Sequence, residues 1–264
     1  MTSTHDPAEF QMGLLEHLRE LRKRLFYCTI AISLGGVISY CYSAEVFFAL
    51  CDPYSKAFHN SPLIGTGPAE AWVLKIKVAL FCGAMITSPI LFYQVWRFVA
   101  PGLYASERKL VLPFVVLSTA LFSGGAMFCY YQILPLTLSF FYGEFKSIGI
   151  TPTVKVGDHL SLMITTMLGF GAVFELPLLT FFLARAGILD HQSMVRWFRH
   201  AVVAIFIISA ALTPPDVLTQ LLMAGPLLLL YGISIGVAYL ACGRVPETPA
   251  VSERANQSAL KSGL

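Results

Sequence analysis

The stretch LVLPFVVLSTALFSGGAMFCYYQIL, residues 110–134, contains 25 consecutive residues without one charged side chain. A helix needs about 20 apolar residues to cross the roughly 30 Å hydrocarbon core of a bilayer. Only helices and closed barrels satisfy every backbone polar group in that environment, and an uninterrupted apolar run of this length is typical of the helix. The stretch therefore predicts an all-α protein that crosses a membrane.

The composition of the whole chain agrees with this interpretation. Hydrophobic residues make up 56% of the 264 residues and charged residues only 12%, whereas a soluble domain carries about 25% charged residues. The net charge is +3, and the basic residues form short clusters between apolar runs. No basic patch typical of a nucleic-acid-binding protein is present, so we expect no nucleic-acid partner.

Working outward from residues 110–134, five further apolar runs follow the same pattern. We therefore predict a polytopic protein with six transmembrane helices within residues 1–242, and a disordered tail at 243–264 that is rich in polar residues and proline. The six runs are Leu25–Tyr42, Ala71–Trp96, Leu110–Leu134, Leu160–Leu183, His200–Thr213 and Val217–Cys242.

The fifth run is shorter than the others. Its 14 residues would span about 21 Å as a helix, which is less than the hydrocarbon core. Two explanations are open: one end of the run is misplaced by a turn, or the helix is short and thins the bilayer locally.

The orientation follows from the lysine and arginine residues, which are enriched on the cytoplasmic side of membrane proteins. If both termini are cytoplasmic, 13 of the 18 basic residues lie on that side. The predicted outer loops are then 43–70, 135–157 and 213–216, with a short helix near 45–58 in the first.

Acidic side chains at the predicted cytoplasmic surface have two interpretations. Glu20 pairs with Arg24 at the i,i+4 spacing of an ordinary solvated helix face, and Glu107 follows Ser106 at a helix start, where an acid suits the helix dipole. Together, however, Glu20 and Glu107 place two carboxylates at the cytoplasmic surface, where basic residues are expected. Such a pair could bind a cationic ligand, because a guanidinium binds a carboxylate through two parallel hydrogen bonds.

Glu175 lies well inside the fourth apolar run, two residues before Pro177. It is either a structural acid that binds backbone groups freed by the proline, or a functional group, as ionisable residues within a membrane usually are.

Motifs for hydrolases, metalloproteases and phosphate-binding loops are absent from the sequence. The six cysteines show no C-x-x-C spacing and five lie in apolar runs, so we expect neither a disulfide nor a metal site. We predict no enzyme and no cofactor. A proton-coupled small-solute transporter, with Glu175 as the proton relay, remains the alternative function.

Five short motifs follow one another along nearly the whole chain. They are His17-Leu18-x-Glu20-Leu21-Arg22-x-Arg24, Tyr93-Gln94-Val95-Trp96-x-Phe98, Ala100-Pro101-x-Leu103-Tyr104 with Glu107-Arg108, Phe174-Glu175-x-Pro177, and Leu212-Thr213-Pro214-Pro215-Asp216-Val217 with Gln220. With these motifs the sequence resembles the TatC family, the multispanning subunit of the twin-arginine protein translocase.

This resemblance implies a function that composition does not. Members of the family bind signal peptides with consecutive arginines and support export of folded proteins across the bacterial cytoplasmic (inner) membrane, driven by the proton-motive force. It implies a cupped bundle of six helices, two of them short, and a multimeric receptor complex with the single-span partners TatA and TatB in a lipid membrane.

The resemblance also suggests roles for residues at the matching positions. Glu20, Glu107, Phe98 and Arg22 are predicted to bind the signal peptide. Glu175 and Gln220 are predicted polar positions where a partner helix docks, and Pro53 and Asp216 are predicted outer-loop residues needed for transport.

Overall fold

The structure is a computed structural model that describes residues 7–59, 61–99, 111–213 and 216–242. Side chains are described from residue 16 to residue 241 within these ranges. Glu107 and the tail predicted at 243–264 lie outside the described residues.

The described residues form helices, together with a single isolated β-bridge, which confirms the all-α class. The ten α-helices are numbered in chain order, and a π-helical turn at Cys129–Ile133 joins the fourth to the fifth. Their bounds are α1 Pro7–Tyr40, α2 Ser43–Ala57, α3 Glu70–Val99, α4 Val111–Phe128, α5 Leu134–Ser147, α6 Val156–Phe174, α7 Leu176–Arg185, α8 His191–Arg196, α9 Phe198–Leu212 and α10 Val217–Cys242.

Four helical segments of the described residues are long and apolar enough to cross a membrane. A fifth span is obtained if Glu16–Tyr40 and Ser43–Ala57, which meet at 89°, are taken together. The multispanning character of the chain is therefore confirmed, whereas the predicted number of six spans is not reproduced in full. The four segments are Glu70–Val99, Val111–Ser147, Val156–Arg185 and Val217–Ala241.

Apolar side chains cover much of the outer surface of these helices. Val37, Leu112 and Leu240 are 70%, 67% and 71% exposed. In water such a surface would drive aggregation, but lipid chains solvate it without cost. The helix exteriors are therefore suited to a bilayer.

The predicted loop at 135–157 is wrong over most of its length, because α5 continues as helix to Ser147. Pro135 does not stop the helix; it lies in the first turn of α5, directly after the π-helical turn Cys129–Ile133. The actual loop covers only residues 148–155. In the first loop, the short helix predicted near 45–58 is confirmed as α2.

Helix α9 is short, as the fifth apolar run suggested. Its 15 residues reach about 22 Å. The helix begins two residues earlier than the apolar run, and Trp197 separates it from α8. The first explanation, that one end of the apolar run was misplaced by a turn, is therefore wrong, and the helix itself is short.

Helices α1 and α3 pack closely because glycines lie at their crossing. A Cβ atom added to Gly83 would come within 2.5 Å of the backbone nitrogen of Gly36, and one added to Gly35 within 2.8 Å of the Thr87 methyl carbon. Small residues let membrane helices approach in this way. The crossing fixes α1 against α3, and both helices carry the residues of the candidate site.

Candidate functional site

A cavity of about 550 Å³ lies between α1 and the last turns of α3. Its lining is almost entirely polar or charged, which is unusual for a helix pair with otherwise apolar exteriors. The lining residues are Glu16, Arg19, Glu20, Lys23, Arg24, Tyr27, Gln94 and Arg97.

Glu20 already binds a guanidinium within this cavity. Arg24 donates from Nε to Glu20 Oε1 at 3.2 Å, and its Nη2 donates to the same oxygen. Arg24 is only 13% exposed, whereas the Glu20 side chain is 35% exposed. Among the described residues the second carboxylate oxygen, Oε2, accepts no hydrogen bond. It therefore remains open to another donor.

Gln94 connects this ion pair to α3. Its side-chain oxygen lies 3.5 Å from Nη1 of Arg24, at the long end of the hydrogen-bond range. The guanidinium thus has contacts on two helices, which limits its freedom more than an isolated i,i+4 pair would. Sequence reasoning did not select Gln94 as a site residue, although its place one turn before Phe98 was a usable signal.

The charge of the cavity constrains what can bind there. Four cations and two carboxylates line it, so the described lining carries an excess of two positive charges. A ligand with two arginines would meet repulsion unless another acid contributes. Glu107 is the sequence-predicted candidate for that acid, and it lies outside the described residues.

Phe98 lies close to the same turn of α1. Its ring stacks on the His17 imidazole, with centroids 4.3 Å apart and an angle of 21° between the planes. His17 is three residues before Glu20, so the contact brings Phe98 next to the cavity. Arg22 is exposed but is absent from the cavity lining, and it borders a neighbouring surface with Arg19 and Lys23.

Glu175 lies at the junction of α6 and α7 and is only 7% exposed. The Ser118 hydroxyl lies near its side chain and accepts a hydrogen bond from Trp96 Nε1 at 2.7 Å. Among the described residues, Glu175 Oε1 has no hydrogen-bond partner. A hydrogen bond therefore joins α3 to α4 beside this junction, where the buried Glu175 carboxyl has an unpaired oxygen. Sequence reasoning missed Trp96 and Ser118, because nothing in the local pattern places them together.

The three remaining candidate residues lie apart from the cavity. Pro53 is buried within α2. Asp216 caps α10 by accepting a hydrogen bond from the Thr219 backbone N–H at 2.9 Å, and this bond holds the pKa of the Asp216 carboxyl below its ordinary value. Gln220 donates to the Phe206 carbonyl at 2.9 Å and so ties α10 to α9.

The chemistry available in the described part of the chain is ionic and hydrogen-bonding. No group of three or more His, Cys, Asp or Glu residues there is arranged to hold a metal ion. The cavity offers one half-occupied carboxylate, several cations and an adjacent aromatic stack, a set suited to recognising a charged peptide segment.

Comparison with known proteins places this geometry in a family. Residues 16–226 match the family of Sec-independent protein translocase proteins (TatC). The TatC protein of Koribacter versatilis is 38% identical over 234 residues, covering 87% of this chain and 86% of that protein. The TatC protein of Aquifex aeolicus is 38% identical over 237 residues, covering 89% of this chain and 98% of that protein.

A solved structure supports the same assignment. The crystal structure of the twin-arginine translocase receptor TatC superimposes with a TM-score of 0.79 and 38% sequence identity, covering 85% of this chain and 99% of that one. Family, relatives and fold thus agree, and they make the chain a non-enzymatic membrane component of a protein translocase. The chain belongs to the TatC family of Sec-independent protein translocase proteins.

Proposed function

We propose that this chain is a receptor that binds twin-arginine signal peptides and supports proton-motive-force-driven export of folded proteins. The half-occupied Glu20 carboxylate is the observation that carries this proposal. It already accepts a guanidinium from Arg24 and leaves Oε2 open in a cavity large enough for side chains. An arginine of a signal peptide offers the same donor group.

Phe98 and Arg22 complete the proposed site together with Glu107. The stacked ring of Phe98 offers an apolar wall beside Glu20 for the stem of a bound arginine. Arg22 lies on the adjoining surface, where it can bind a backbone carbonyl or an acid near the arginine motif.

A peptide-binding measurement tests this function. A labelled peptide with two adjacent arginines should bind the purified chain in detergent about tenfold tighter than the same peptide with two lysines, because lysine cannot form the bidentate contact. Raising the salt concentration should lower the affinity of the arginine peptide, because salt screens the attraction between exposed charges. Equal affinity for the two peptides would rule out a guanidinium site.

The proposed location is the bacterial cytoplasmic membrane, with both termini on the cytoplasmic side. Four basic residues on α1 and on the last turns of α3 line the cavity, and this excess over the two acids supports a cytoplasmic position for it. A disulfide-dependent reporter enzyme fused after Ile64 should then be active, and one fused after Gly102 inactive. The opposite pattern of activity would invert the topology and place the cavity on the wrong side for a signal peptide.

The proposed partners are the single-span subunits TatA and TatB, together with further copies of this chain in a receptor complex. Glu175 is the proposed docking point, because its Oε1 is buried without a hydrogen-bond partner among the described residues, and turning the side chain outward to a partner helix would satisfy it. Gln220 is a second polar position, whose amide nitrogen is already used within the chain. The outer residues proposed to support transport are Pro53, which is buried within α2, and Asp216, which caps the start of α10.

A further inference from the structure

A second groove lies between α3 and α6, away from the cavity at Glu20. Helix α6 begins directly after Lys155 of the Ile64–Lys155 bridge, and α3 begins six residues after Ile64, with the Glu70 side chain of its first turn against Gly157 of α6. They therefore start at the same level and run in the same direction. The groove has a volume of about 330 Å³.

The lining of the groove changes from polar to apolar along its length. Each helix contributes residues at positions i, i+3, i+4 and i+7, starting at Lys77 on α3 and at Ser161 on α6. Such positions form one helix face, and the first of each set is nearest the helix start. The polar pair is thus at the end of the groove nearest the helix starts. The rest of the lining is apolar except for Thr165, and consists of Leu80, Phe81, Ala84, Ile164, Thr165 and Leu168.

Lys77 is an exposed cation within a membrane-spanning helix. Its Nζ donates a hydrogen bond to the Ser161 hydroxyl at 3.1 Å, and this is its only recorded partner among the described residues. Asp158, one turn nearer the start of α6, is exposed and forms no ion pair with it in the described part of the chain. A charge at such a position calls for an anionic partner, because the surrounding hydrocarbon does not solvate it.

We propose that this groove binds one phospholipid, with its phosphate on Lys77 and Ser161 and one acyl chain along the apolar part. Lys77 is seven residues from the start of α3, or about 10 Å, a depth from which a lysine amine can reach the headgroup region. From Lys77 to Ala84 the groove covers a further 10 Å or so, about two-thirds of the roughly 15 Å thickness of one hydrocarbon leaflet.

The lining favours a lipid over an apolar helix of a partner protein. The polar end and apolar remainder of the groove match an amphiphile with one charged end. In the proposed topology, the lipid belongs to the outer leaflet. The binding site itself does not depend on that orientation.

Lipid binding can be measured on the purified full chain by native mass spectrometry in detergent. Titrated dioleoyl phosphatidylglycerol should bind the wild-type chain as a single retained molecule. Lys77→Gln should weaken its apparent Kd about tenfold, because a charge-assisted contact is lost. Lys75→Gln is the matched control: Lys75 is exposed on the same helix but lies about 200° around it, and the Kd should be unchanged.

Two further measurements separate phosphate binding from general lipid adhesion. Ala84→Phe fills the apolar part while Lys77 is kept, and it should also weaken retention. Dioleoylglycerol, which lacks the phosphate, should not be retained by the wild-type chain. The site would be overturned if Lys75→Gln and Lys77→Gln weakened phospholipid affinity equally. It would also be overturned if the wild-type chain retained dioleoylglycerol as well as it retains the phospholipid. Binding of a twin-arginine peptide should be normal in Lys77→Gln, so failure of the lipid site is distinguishable from failure of the receptor function.

Discussion

Replacing both Glu20 and Glu107 by glutamine is expected to reduce the affinity for a twin-arginine peptide by at least about 100-fold. Each glutamine keeps the size of the side chain but removes the charge that a guanidinium needs. Losing one charge-assisted hydrogen bond costs roughly 1.5–3 kcal/mol, or about 10–150-fold in Kd. The reduction should appear in a titration of labelled peptide against the purified variant at low salt.

The single variants should differ, because Glu20 is already partly neutralised. Arg24 donates two nitrogens to Glu20 Oε1, and the described cavity lining is positive without Glu107. We therefore expect Glu107→Gln to lose more affinity than Glu20→Gln.

Glu16→Gln is the matched control for these variants. Glu16 lines the same cavity one turn earlier on α1 and is exposed, so its removal changes the net charge equally but spares the Arg24 contact. It should change the affinity only a few-fold, through long-range charge. All variants must insert and keep wild-type helicity. Wild-type affinity in the double Glu20, Glu107 variant would remove both acids from the site.

Hydrophobic runs predicted the helices well because a membrane segment must satisfy its backbone within itself. The pattern failed where helix and membrane end at different places. The third apolar run was predicted to end at Leu134, before Pro135, yet the helix continues to Ser147 and includes Glu144 and Lys146. Hydropathy indicates whether a segment lies in lipid or in water. The end of a helix is decided by its backbone hydrogen bonds, which hydropathy does not describe.

Contacts between distant segments could not be predicted from local patterns. Arg24 and Gln94 are 70 positions apart and meet only because glycines allow α1 and α3 to cross closely. Likewise, Pro177 indicated an irregularity in the fourth run, and the helix does break at Glu175. The position of the Trp96–Ser118 hydrogen bond beside this break, however, depends on the packing of three helices.

Glu175→Ala is expected to lower in-membrane crosslinking to TatA- or TatB-type helices substantially, whereas Glu175→Gln should retain most of it. Ala172 and Leu179, one turn on either side of Glu175, are exposed. Glu175 Oε1 is itself buried and unpaired, so a partner helix lying across these two positions would pair with it once the side chain turns outward. Glutamine preserves a carbonyl oxygen there, and alanine does not. Hydrogen bonds between membrane helices contribute only about 0.6–2 kcal/mol, so the glutamine variant should be mild.

The crosslinks are best formed from single cysteines at positions 172 and 179, in a chain whose six native cysteines have been replaced. A cysteine at Val116 is the control, because this residue is 63% exposed on α4 and points about 200° away from Ser118, the residue that contacts Glu175. Crosslinks from 172 and 179 that are unchanged by Glu175→Ala, or no stronger than those from 116, would exclude docking at this site.

If the glutamine variant loses transport as completely as the alanine variant while its crosslinks persist, the essential property of Glu175 is its proton. It would then act as a relay rather than as a docking point, because glutamine can accept a hydrogen bond but cannot carry a proton between states.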